Sequence, residues 1–137
     1  MPFVIKSENT YFDLSLWPGD RGYRRISRPH KSRGYTSYIA IKDDQIIGVL
    51  MVRARKYRNL VTVWSCGTSV RPAYSRRGVG KSLWKQMIKD KEPTTIRVEV
   101  ISDRGWSLIA SIKDKYPNIK WIVTNSGLRP LRRLRRQ

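Results

Sequence analysis

The hydrophobic residues of the chain recur in short runs that predict strands. The runs are rich in β-branched residues and are bounded by turn residues such as Asp43-Asp44 and Arg71-Pro72. The nearly continuous apolar start of the run at 60–70 predicts burial on both of its faces. We predict strands over residues 3–5, 37–42, 45–55, 60–70, 94–101 and 119–124, the first of them as a short edge strand.

Two further stretches have the spacing of amphipathic helices. Apolar residues recur at helical intervals in residues 78–89 and 104–115, and in the second stretch Trp106 is predicted to face inward with Ile109. Residues 8–35 are rich in Pro, Gly, Ser and Arg and predict short helices and loops. The order β, helical loops, β, β, β, α, β, α, β predicts an α/β fold, with one mixed sheet flanked by helices in a single domain.

The charge of the chain is strongly positive. Its 137 residues contain 29 Lys and Arg against 10 Asp and Glu, a formal net charge of +19. Such an excess is usually balanced by a polyanion, an anionic cofactor or an acidic partner. The 39 % of apolar residues and the five Trp argue against a wholly disordered basic chain. We therefore expect one folded domain over residues 1–126, followed by a basic tail at 127–137 that has five Arg and no acid.

Several classes of protein are excluded by composition. The single cysteine, Cys66, and the single histidine, His30, rule out an internal disulfide and a Cys- or His-rich metal site, so no metal is expected. No apolar run approaches the ~18 residues that a membrane span needs. Residues 1–20 do not have the pattern of a secretory signal. We expect a soluble protein of the reducing cytoplasm, without a membrane partner.

Residues 69–83, SVRPAYSRRGVGKSL, carry the clearest chemical signal. A strand ends here, a basic turn with two glycines follows, and a helix begins. The unpaired N–H groups and the dipole of a helix N-terminus, beside three basic side chains, predict a site for phosphate or pyrophosphate. A glycine turn that merely starts a helix is one alternative. A P-loop is another, because Gly80-Lys81-Ser82 matches its end, although Ser75 stands where its first glycine belongs.

The same stretch resembles the acetyl-CoA-binding motif of the GNAT superfamily of N-acetyltransferases, V-x-P-x-x-[RQ]-x-x-G-x-G/A. Val70, Pro72, Gly78 and Gly80 fit in register, and Ser75 departs from the pattern where the family usually has Arg or Gln. The order of elements over 36–124 is similar to that family as well. The resemblance implies an acetyl-CoA-dependent N-acyltransferase of GNAT-like fold. No final strand of the family is visible, so the sheet either ends early or is completed by a partner chain, as in a dimer.

The resemblance also assigns residues to the cofactor. It implies that backbone groups of Ser69 and Val70 pair with the pantetheine arm, and that N–H groups of the turn and of the first helical turn hold the pyrophosphate. The resemblance also implies that Arg77 and Lys81 add charge, that Arg76 reaches the 3′-phosphate, and that a backbone N–H stabilises an oxyanion at the acyl carbonyl. The residues of this predicted cradle are Arg76, Arg77, Gly78, Val79, Gly80 and Lys81. Cys66 is not needed, and we interpret it as a core residue rather than a nucleophile.

The residues that transfer protons carry a weaker signal. Family members often have a Glu on the strand before the motif, but residues 60–70 contain no acid. Glu99 on the next strand fits a solvent face or a salt bridge equally well. By register, the Tyr that many members use as an acid falls at Ser111, and Tyr116 follows five residues later. We predict that Ser111 or Tyr116 acts. The alternatives are a packing role for Tyr116, proton transfer by water or substrate, and weak catalysis.

In this family the segment between the first two strands shapes the acceptor site. Here it mixes basic residues with Tyr23 and Tyr35, which fits phosphate contact and base stacking. Solvated arginines above packed rings are an equal alternative. His30 is either a surface histidine or a base near the acceptor; with Asp103 it resembles the Mom-type phage DNA-modification enzymes. The predicted acceptor residues are Arg24, Arg25, Arg28, His30, Lys31 and Arg33.

Three functions are compatible with these features. The first is an acetyl-CoA-dependent N-acyltransferase that acts on an amine of an acidic or nucleic-acid-associated acceptor. The second is a phage-type enzyme of GNAT-like fold that modifies a DNA or RNA nucleobase. The third is a non-catalytic basic module that binds nucleic acid. The expected partners are acetyl-CoA and a polyanion, either DNA, RNA or a ribonucleoprotein, or else an acidic protein.

Overall fold

A computed structural model describes residues 2–13, 24–26, 34–100 and 103–124. Eight strands and two helices lie within these ranges. The strands are β1 (Val4–Glu8), β2 (Tyr11–Asp13), β3 (Arg24–Ile26), β4 (Tyr35–Lys42), β5 (Gln45–Tyr57), β6 (Leu60–Val70), β7 (Thr95–Glu99) and β8 (Lys120–Thr124). The helices are α1 (Val79–Lys91) and α2 (Asp103–Lys113), and a single 3₁₀ turn, Pro72–Tyr74, precedes α1.

Six of the strands form one mixed sheet in the order β1-β4-β5-β6-β7-β8. Neighbours from β1 to β6 are antiparallel, whereas β6–β7 and β7–β8 are parallel. Parallel neighbours need a crossover, which α1 and α2 provide. The predicted α/β fold with a mixed sheet flanked by helices is therefore confirmed. Within the described part of the chain β8 is an edge strand, and the predicted tail at 127–137 lies outside it.

The turn between β4 and β5 forms as predicted. Asp43 and Asp44 have φ angles of 51° and 62°, the left-handed values that a two-residue type I′ turn requires at both central positions. Asp is one of the few residues other than Gly that tolerates this conformation. The turn makes β4 and β5 a hairpin, which β6 extends into a three-stranded meander.

The main core lies between the sheet and both helices, on one side that we call the helical face. Leu83, Trp84 and Met87 of α1 are fully buried there, against sheet residues that include Val52 and Val63. Gly48 on β5 makes this close packing possible, because a Cβ at that position would lie 2.9 Å from Val79 Cγ1. The remaining buried members of this core are Tyr38, Ala40, Ile47, Leu50, Val79, Ile88, Ile96, Val98, Val100, Ile109 and Ile112.

The opposite side of the sheet, which we call the open face, has a much smaller core. Phe12 of β2 packs there against Ile39 and Val49, so the two-stranded β2–β3 sheet covers only the part of this face near β4 and β5. Neither α1 nor α2 lies on the open face, because their buried residues all belong to the main core on the other side. Within the residues that the structure describes, the sheet is thus packed on one side over its length and on the other only near β4 and β5.

Three local predictions are wrong. Residues 8–35 were expected to form helices and loops, but their described part contains the β2–β3 strand pair. Burial of 60–70 on both faces fails, because neither α1 nor α2 packs on the open face and Leu60 is 59 % and Trp64 37 % exposed. Trp106 is 36 % exposed, because it lies in the first turn of α2, at the end of the sheet where β6 and β7 have already separated.

Candidate active site

An opening in the sheet between β6 and β7 forms the centre of the site. The two strands pair over only three positions, of which Trp64 and Arg97 are the last. Beyond that pair, β6 continues to Val70 while hydrogen-bonding to β5, and the described part of the chain supplies it no strand on the other side. A strand edge of this kind can pair with an extended ligand as if with a missing strand.

A β-bulge lies at the start of the opening. Ser65 pairs with Val52 and Gly67 with Met51, so Cys66 is the extra residue on β6. Gly67 has a φ of 135°, a conformation that glycine adopts without strain. Bulges re-aim backbone groups and are frequent beside active sites. We did not predict this bulge, although an isolated glycine within a strand pattern is the signal that indicates one.

The bulge places Cys66 between core and solvent, so the prediction that it is a core residue is wrong. Its thiol is half-buried and lies 3.7 Å from the carbonyl oxygen of Trp64. Burial raises the pKa of the Cys66 thiol, and nearby Arg53 offsets this only in part. The thiol is therefore protonated at neutral pH, which agrees with the prediction that it is not a nucleophile.

The turn from β6 to α1 is held by hydrogen bonds to the β4–β5 hairpin. The backbone N–H of Arg71 donates to the carbonyl oxygen of Ile47 at 2.8 Å, and its Nε donates to that of Ile46 at 2.8 Å. After the 3₁₀ turn the chain passes through left-handed conformations at Arg76 (φ 61°) and Gly78 (φ 81°). These two positions turn the backbone so that the exposed basic segment stands in front of α1.

Helix α1 presents its N-terminus beside the opening without a side-chain cap. Its N-cap is Gly78, which has no atom within 4 Å of where a Cβ would stand. The first helical hydrogen bond runs from Ser82 N–H to the Gly78 carbonyl at 3.0 Å. The N–H groups of Val79, Gly80 and Lys81 precede that bond and have no carbonyl acceptor within the helix. Together with the positive end of the helix dipole they suit an anion.

Side-chain placement divides the predicted cradle into two groups. Arg76, Arg77 and Lys81 are exposed and surround the helix N-terminus. Val79, by contrast, is buried in the main core. A Cβ at Gly80 would stand 3.3 Å from Leu108 Cδ2 and 3.9 Å from Val70 Cγ2, so this glycine allows α1 to approach α2 closely.

Lys42, which the sequence did not single out, lies beside this basic cluster. Its Nζ donates to Asp43 Oδ2 at 3.0 Å and lies 5.8 Å from the ring centroid of Tyr74. Asp43 raises the pKa of the Lys42 ammonium, although Arg77 is near enough to oppose the shift, so Lys42 stays charged. Residues 42 and 77 are far apart in sequence, and only the pairing of β4 with β5 places them together. No local pattern could have indicated this contact.

The predicted proton-transfer residues lie on or after α2. Ser111 is in the third turn of the helix, half-buried, with its hydroxyl donating to the Leu108 carbonyl at 2.8 Å. Tyr116 follows the helix and packs against the main core. It immediately precedes β8, at the end of the sheet from which the parallel strands start, whereas the opening is at the end where they finish. Glu99 is exposed at the end of β7, beyond the last β6–β7 pair.

Of the predicted acceptor residues, only two fall within the described chain. Arg24 and Arg25 belong to β3, whose backbone pairs with β2. Through Phe12, β2 packs on the open face, so these positions belong to that side of the sheet. Arg28, His30, Lys31 and Arg33 lie outside the described residues.

Neither a membrane-spanning helix nor a metal-binding cluster is found in the described chain. No helix there is long and apolar enough to cross a bilayer. The same residues contain no group of three His, Cys, Asp or Glu side chains arranged to hold a metal ion.

Comparisons with known proteins identify the fold and the family. The model of the acetyltransferase (GNAT) family matches residues 3–101. No curated protein matches the chain. Among solved structures, the chain resembles the aminoglycoside acetyltransferase meta-AAC0020 from an uncultured soil metagenomic sample. The TM-score is 0.57 at 15 % identity, covering 81 % of this chain and 87 % of that one.

Two further solved structures share the fold. The IAA acetyltransferase from Bacillus cereus ATCC 14579 has a TM-score of 0.57 at 18 % identity, covering 80 % of this chain and 75 % of the other. The ribosomal-protein-alanine N-acetyltransferase from Brucella melitensis biovar Abortus 2308 has a TM-score of 0.52 at 14 % identity, covering 58 % and 63 %. At these identities the likeness shows a common fold and no common acceptor.

The match to the family model spans most of the chain and includes the opening, the bulge and the N-terminus of α1. GNAT enzymes use acetyl-CoA as their acyl donor, and the turn before α1 has the exposed cations and helix-terminal N–H groups that a pyrophosphate needs. The chain belongs to the acetyltransferase (GNAT) family and is an acetyl-CoA-dependent acyltransferase.

Proposed function

We propose that the protein transfers the acetyl group of acetyl-CoA to an amine of an acidic or nucleic-acid-associated acceptor. The observation that carries this proposal is the net charge of +19. The donor accounts for little of it, because among the described residues the cluster beside α1 consists of Lys42, Arg76, Arg77 and Lys81. A large excess of positive charge then remains for the second substrate.

The cradle proposed for the donor is the turn before α1. The N–H groups of Arg76 to Lys81 would hold the pyrophosphate, Arg77 and Lys81 would add charge, and Arg76 would reach the 3′-phosphate. The absence of a side-chain cap at Gly78 and the exposure of these cations support the assignment. Lys42 is an additional candidate for phosphate contact, since it is charged and close to Arg77.

Backbone groups on β6 complete the proposed donor site. Ser69 and Val70 lie on the stretch of β6 that pairs with β5 only, where the pantetheine arm would take the place of a strand. Acetyl-CoA supplies an activated acyl group as a thioester. An N–H at the bulge near Gly67 is our candidate donor to the acyl carbonyl oxygen, because the bulge redirects the backbone at the start of the opening.

For proton transfer we retain Ser111 and Tyr116 as candidates, and Ser111 is the better placed. It lies within α2, whose N-terminus is at the opening, whereas Tyr116 lies past the other end of that helix. Substitution of the acting residue should lower kcat about 100-fold with little change in KM, as expected for a general acid. Comparison of Ser111→Ala with Tyr116→Phe identifies which of the two acts; unchanged kcat in both would assign proton transfer to water or substrate.

Calorimetry with acetyl-CoA tests the donor site. We expect binding that Arg77→Gln weakens about tenfold, through loss of a charged contact. Lys85→Gln is the matched control, because Lys85 is also exposed on the α1 side but lies one turn further from the helix N-terminus. Absence of binding at millimolar acetyl-CoA would refute the donor site, and equal weakening by both variants would refute the assignment of Arg77.

The acceptor is tested with radiolabelled acetyl-CoA and a cell extract. If the acceptor is a nucleic acid or is bound to one, nuclease treatment should remove most of the incorporated label. Mass spectrometry of nucleosides then separates a modified base, as in the second candidate function, from a protein amine carried by a ribonucleoprotein. Label that survives nuclease and migrates with a neutral or basic protein would contradict the proposed acceptor class.

A cytoplasmic location and a possible dimer remain predictions from sequence. The location rests on the single cysteine, since a chain without a cysteine pair gives no sign of an oxidising compartment. A dimer would pair the edge strand β8 with a second chain, and sedimentation velocity at two concentrations measures that association directly.

A further inference from the structure

The open face carries a row of side chains that neither the fold nor the donor site explains. Five strands are in register along it, because each member pairs with the next across the sheet. Residues that pair directly point to the same side of a sheet. The row is Tyr35, Arg53, Trp64, Arg97 and Ile122.

Two further rows continue this surface toward the β5–β6 turn. Arg55, Thr62, Thr95 and Lys120 form the second row, and Tyr57 with Leu60 forms the third. Three large side chains of this surface are exposed, Tyr57 at 66 %, Leu60 at 59 % and Trp64 at 37 %. Within the described chain, α1 and α2 both pack on the opposite side. We call these three rows the aromatic–basic surface.

The surface is basic as well as aromatic. Arg53, Arg55, Arg97 and Lys120 are all exposed on it, and Glu99, two residues after Arg97 on β7, borders it. Trp64 stands between Arg53 and Arg97 on the neighbouring strands, so the two guanidinium-bearing positions are about 10 Å apart with an indole between them. Arg53 is held in place by the Tyr35 ring, whose centroid is 5.4 Å from its guanidinium carbon.

We propose that the aromatic–basic surface binds single-stranded nucleic acid, with bases stacked on Trp64 and Tyr57 and phosphates on the neighbouring arginines. Flat aromatic rings flanked by cations are the arrangement that binds unpaired bases and their backbone together. A second copy of the chain is a poor occupant, because two surfaces of the same positive sign repel each other. A duplex is also disfavoured, since its bases are already stacked and cannot cover the rings.

The surface leads directly to the site of chemistry. Trp64 and Arg97 form the last β6–β7 pair before the opening. A nucleic-acid strand bound along the three rows would therefore end beside the opening, on the face opposite the helices. This inference deepens the proposed function by giving the acceptor a docking surface, and it rests on that proposal only for the link to acetyl transfer. The binding itself is independent of whether the donor site has been identified correctly.

Fluorescence anisotropy with a labelled oligo(dT) of about 15 nucleotides tests the surface. We expect Trp64→Ala to weaken binding at least about tenfold, with Trp64→Phe restoring much of it because the ring can still stack. Arg55→Gln should weaken binding and lower the slope of log affinity against log salt by about 0.7, the value for one phosphate contact on a single strand. An oligo(dT) annealed to its complement should bind less tightly.

Lys56→Gln is the matched control for Arg55→Gln. Lys56 is the next residue on β5, also exposed but on the other side of the strand. Equal losses in the two variants would show attraction by total charge alone and overturn the proposal. Binding of poly-glutamate as tight as that of oligo(dT) would overturn it in favour of an acidic protein. Calorimetry with acetyl-CoA on the same variants separates the two proposals, because Arg55→Gln should leave donor binding unchanged.

Discussion

The two faces of the central sheet are built from the same strands but have opposite chemistry. On the helical face, Val52, Val63 and Ile96 are fully buried beneath α1 and α2. One residue further along, on the open face, their neighbours Arg53, Trp64 and Arg97 are all exposed. The alternation of side chains along a strand thus separates two tasks. Stability comes mainly from one face, and the other is free to carry charge and aromatic rings that a core could not accommodate.

The largest expected effect is on stability, and it is tested by truncating one leucine on each face of the sheet. Leu83 is fully buried in the main core, and Leu60 is 59 % exposed on the open face. Leu83→Ala should lower the free energy of unfolding by about 3 kcal/mol, because it removes buried methyl groups and leaves a cavity. Leu60→Ala should change it by no more than about 0.5 kcal/mol. Urea denaturation measures both, and a similar loss in the two variants would mean that the open face is also a core.

Two tyrosines, one on each face of the sheet, give a smaller difference in stability. Tyr38 is buried on the helical face and its hydroxyl donates a hydrogen bond to Asp90 of α1. Tyr38→Phe should lower the free energy of unfolding by about 1–2 kcal/mol through loss of that bond. Tyr57→Phe on the open face is the matched control and should have no measurable effect, since Tyr57 is 66 % exposed.

The stability contributed by Tyr38 is predicted to depend on pH. Burial, and then the bond to Asp90, raise the pKa of Tyr38 above its ordinary value. A group whose pKa is raised on folding contributes stability below its unfolded pKa and loses that contribution as the pH rises above it. The stability difference between the native protein and Tyr38→Phe should therefore shrink above about pH 10. A difference that grows with pH in that range would contradict the assigned shift.

The smallest expected effect is on the reactivity of the Cys66 thiol, at the boundary of the two faces. Burial raises the pKa of this thiol, so at pH 8 less of it is the reactive thiolate than in an unfolded chain. Alkylation by iodoacetamide should be several-fold slower in the native protein than in urea. The native rate should keep rising with pH through and above the usual range of thiol pKa values. Native alkylation faster than that of the unfolded chain would show a lowered pKa and an activated thiol instead.

The sequence was most informative where local chemistry determines the structure. The Asp43-Asp44 turn, the full extent of β6 and the basic turn before α1 depend on neighbouring residues, and each was predicted. The contacts that sequence reasoning missed depend on long-range placement. Lys42 joins the basic cluster through the pairing of β4 with β5, and Trp64 is exposed because neither α1 nor α2 packs on its side of the sheet.

Two errors at the site have more local causes. Cys66 was assigned to the core because it lies within a strand and free cysteine is usually buried, but as the extra residue of the bulge it lies between core and solvent. Trp106 has the right helical spacing to face inward, but the strands below it diverge before the first turn of α2. In both cases the hydrophobic pattern was correctly identified, but an interruption of the sheet left the residue less buried than the pattern predicts.

The opening between β6 and β7 also separates two kinds of contact. On one side, strands that follow each other directly in sequence pair; on the other, the paired strands are separated by a helix. The β4–β5–β6 meander closes through short turns between adjacent segments, and hairpins of this kind form within about 1–10 μs. The parallel pairing of β7 with β6 has to wait until α1 has crossed the sheet, at the entropic cost of closing a longer loop. The proposed donor site spans this boundary, with β6 in the meander and α1 and β7 beyond it. If acetyl-CoA binds there, its binding should require the parallel β6–β7 pairing as well as the β4–β5–β6 meander.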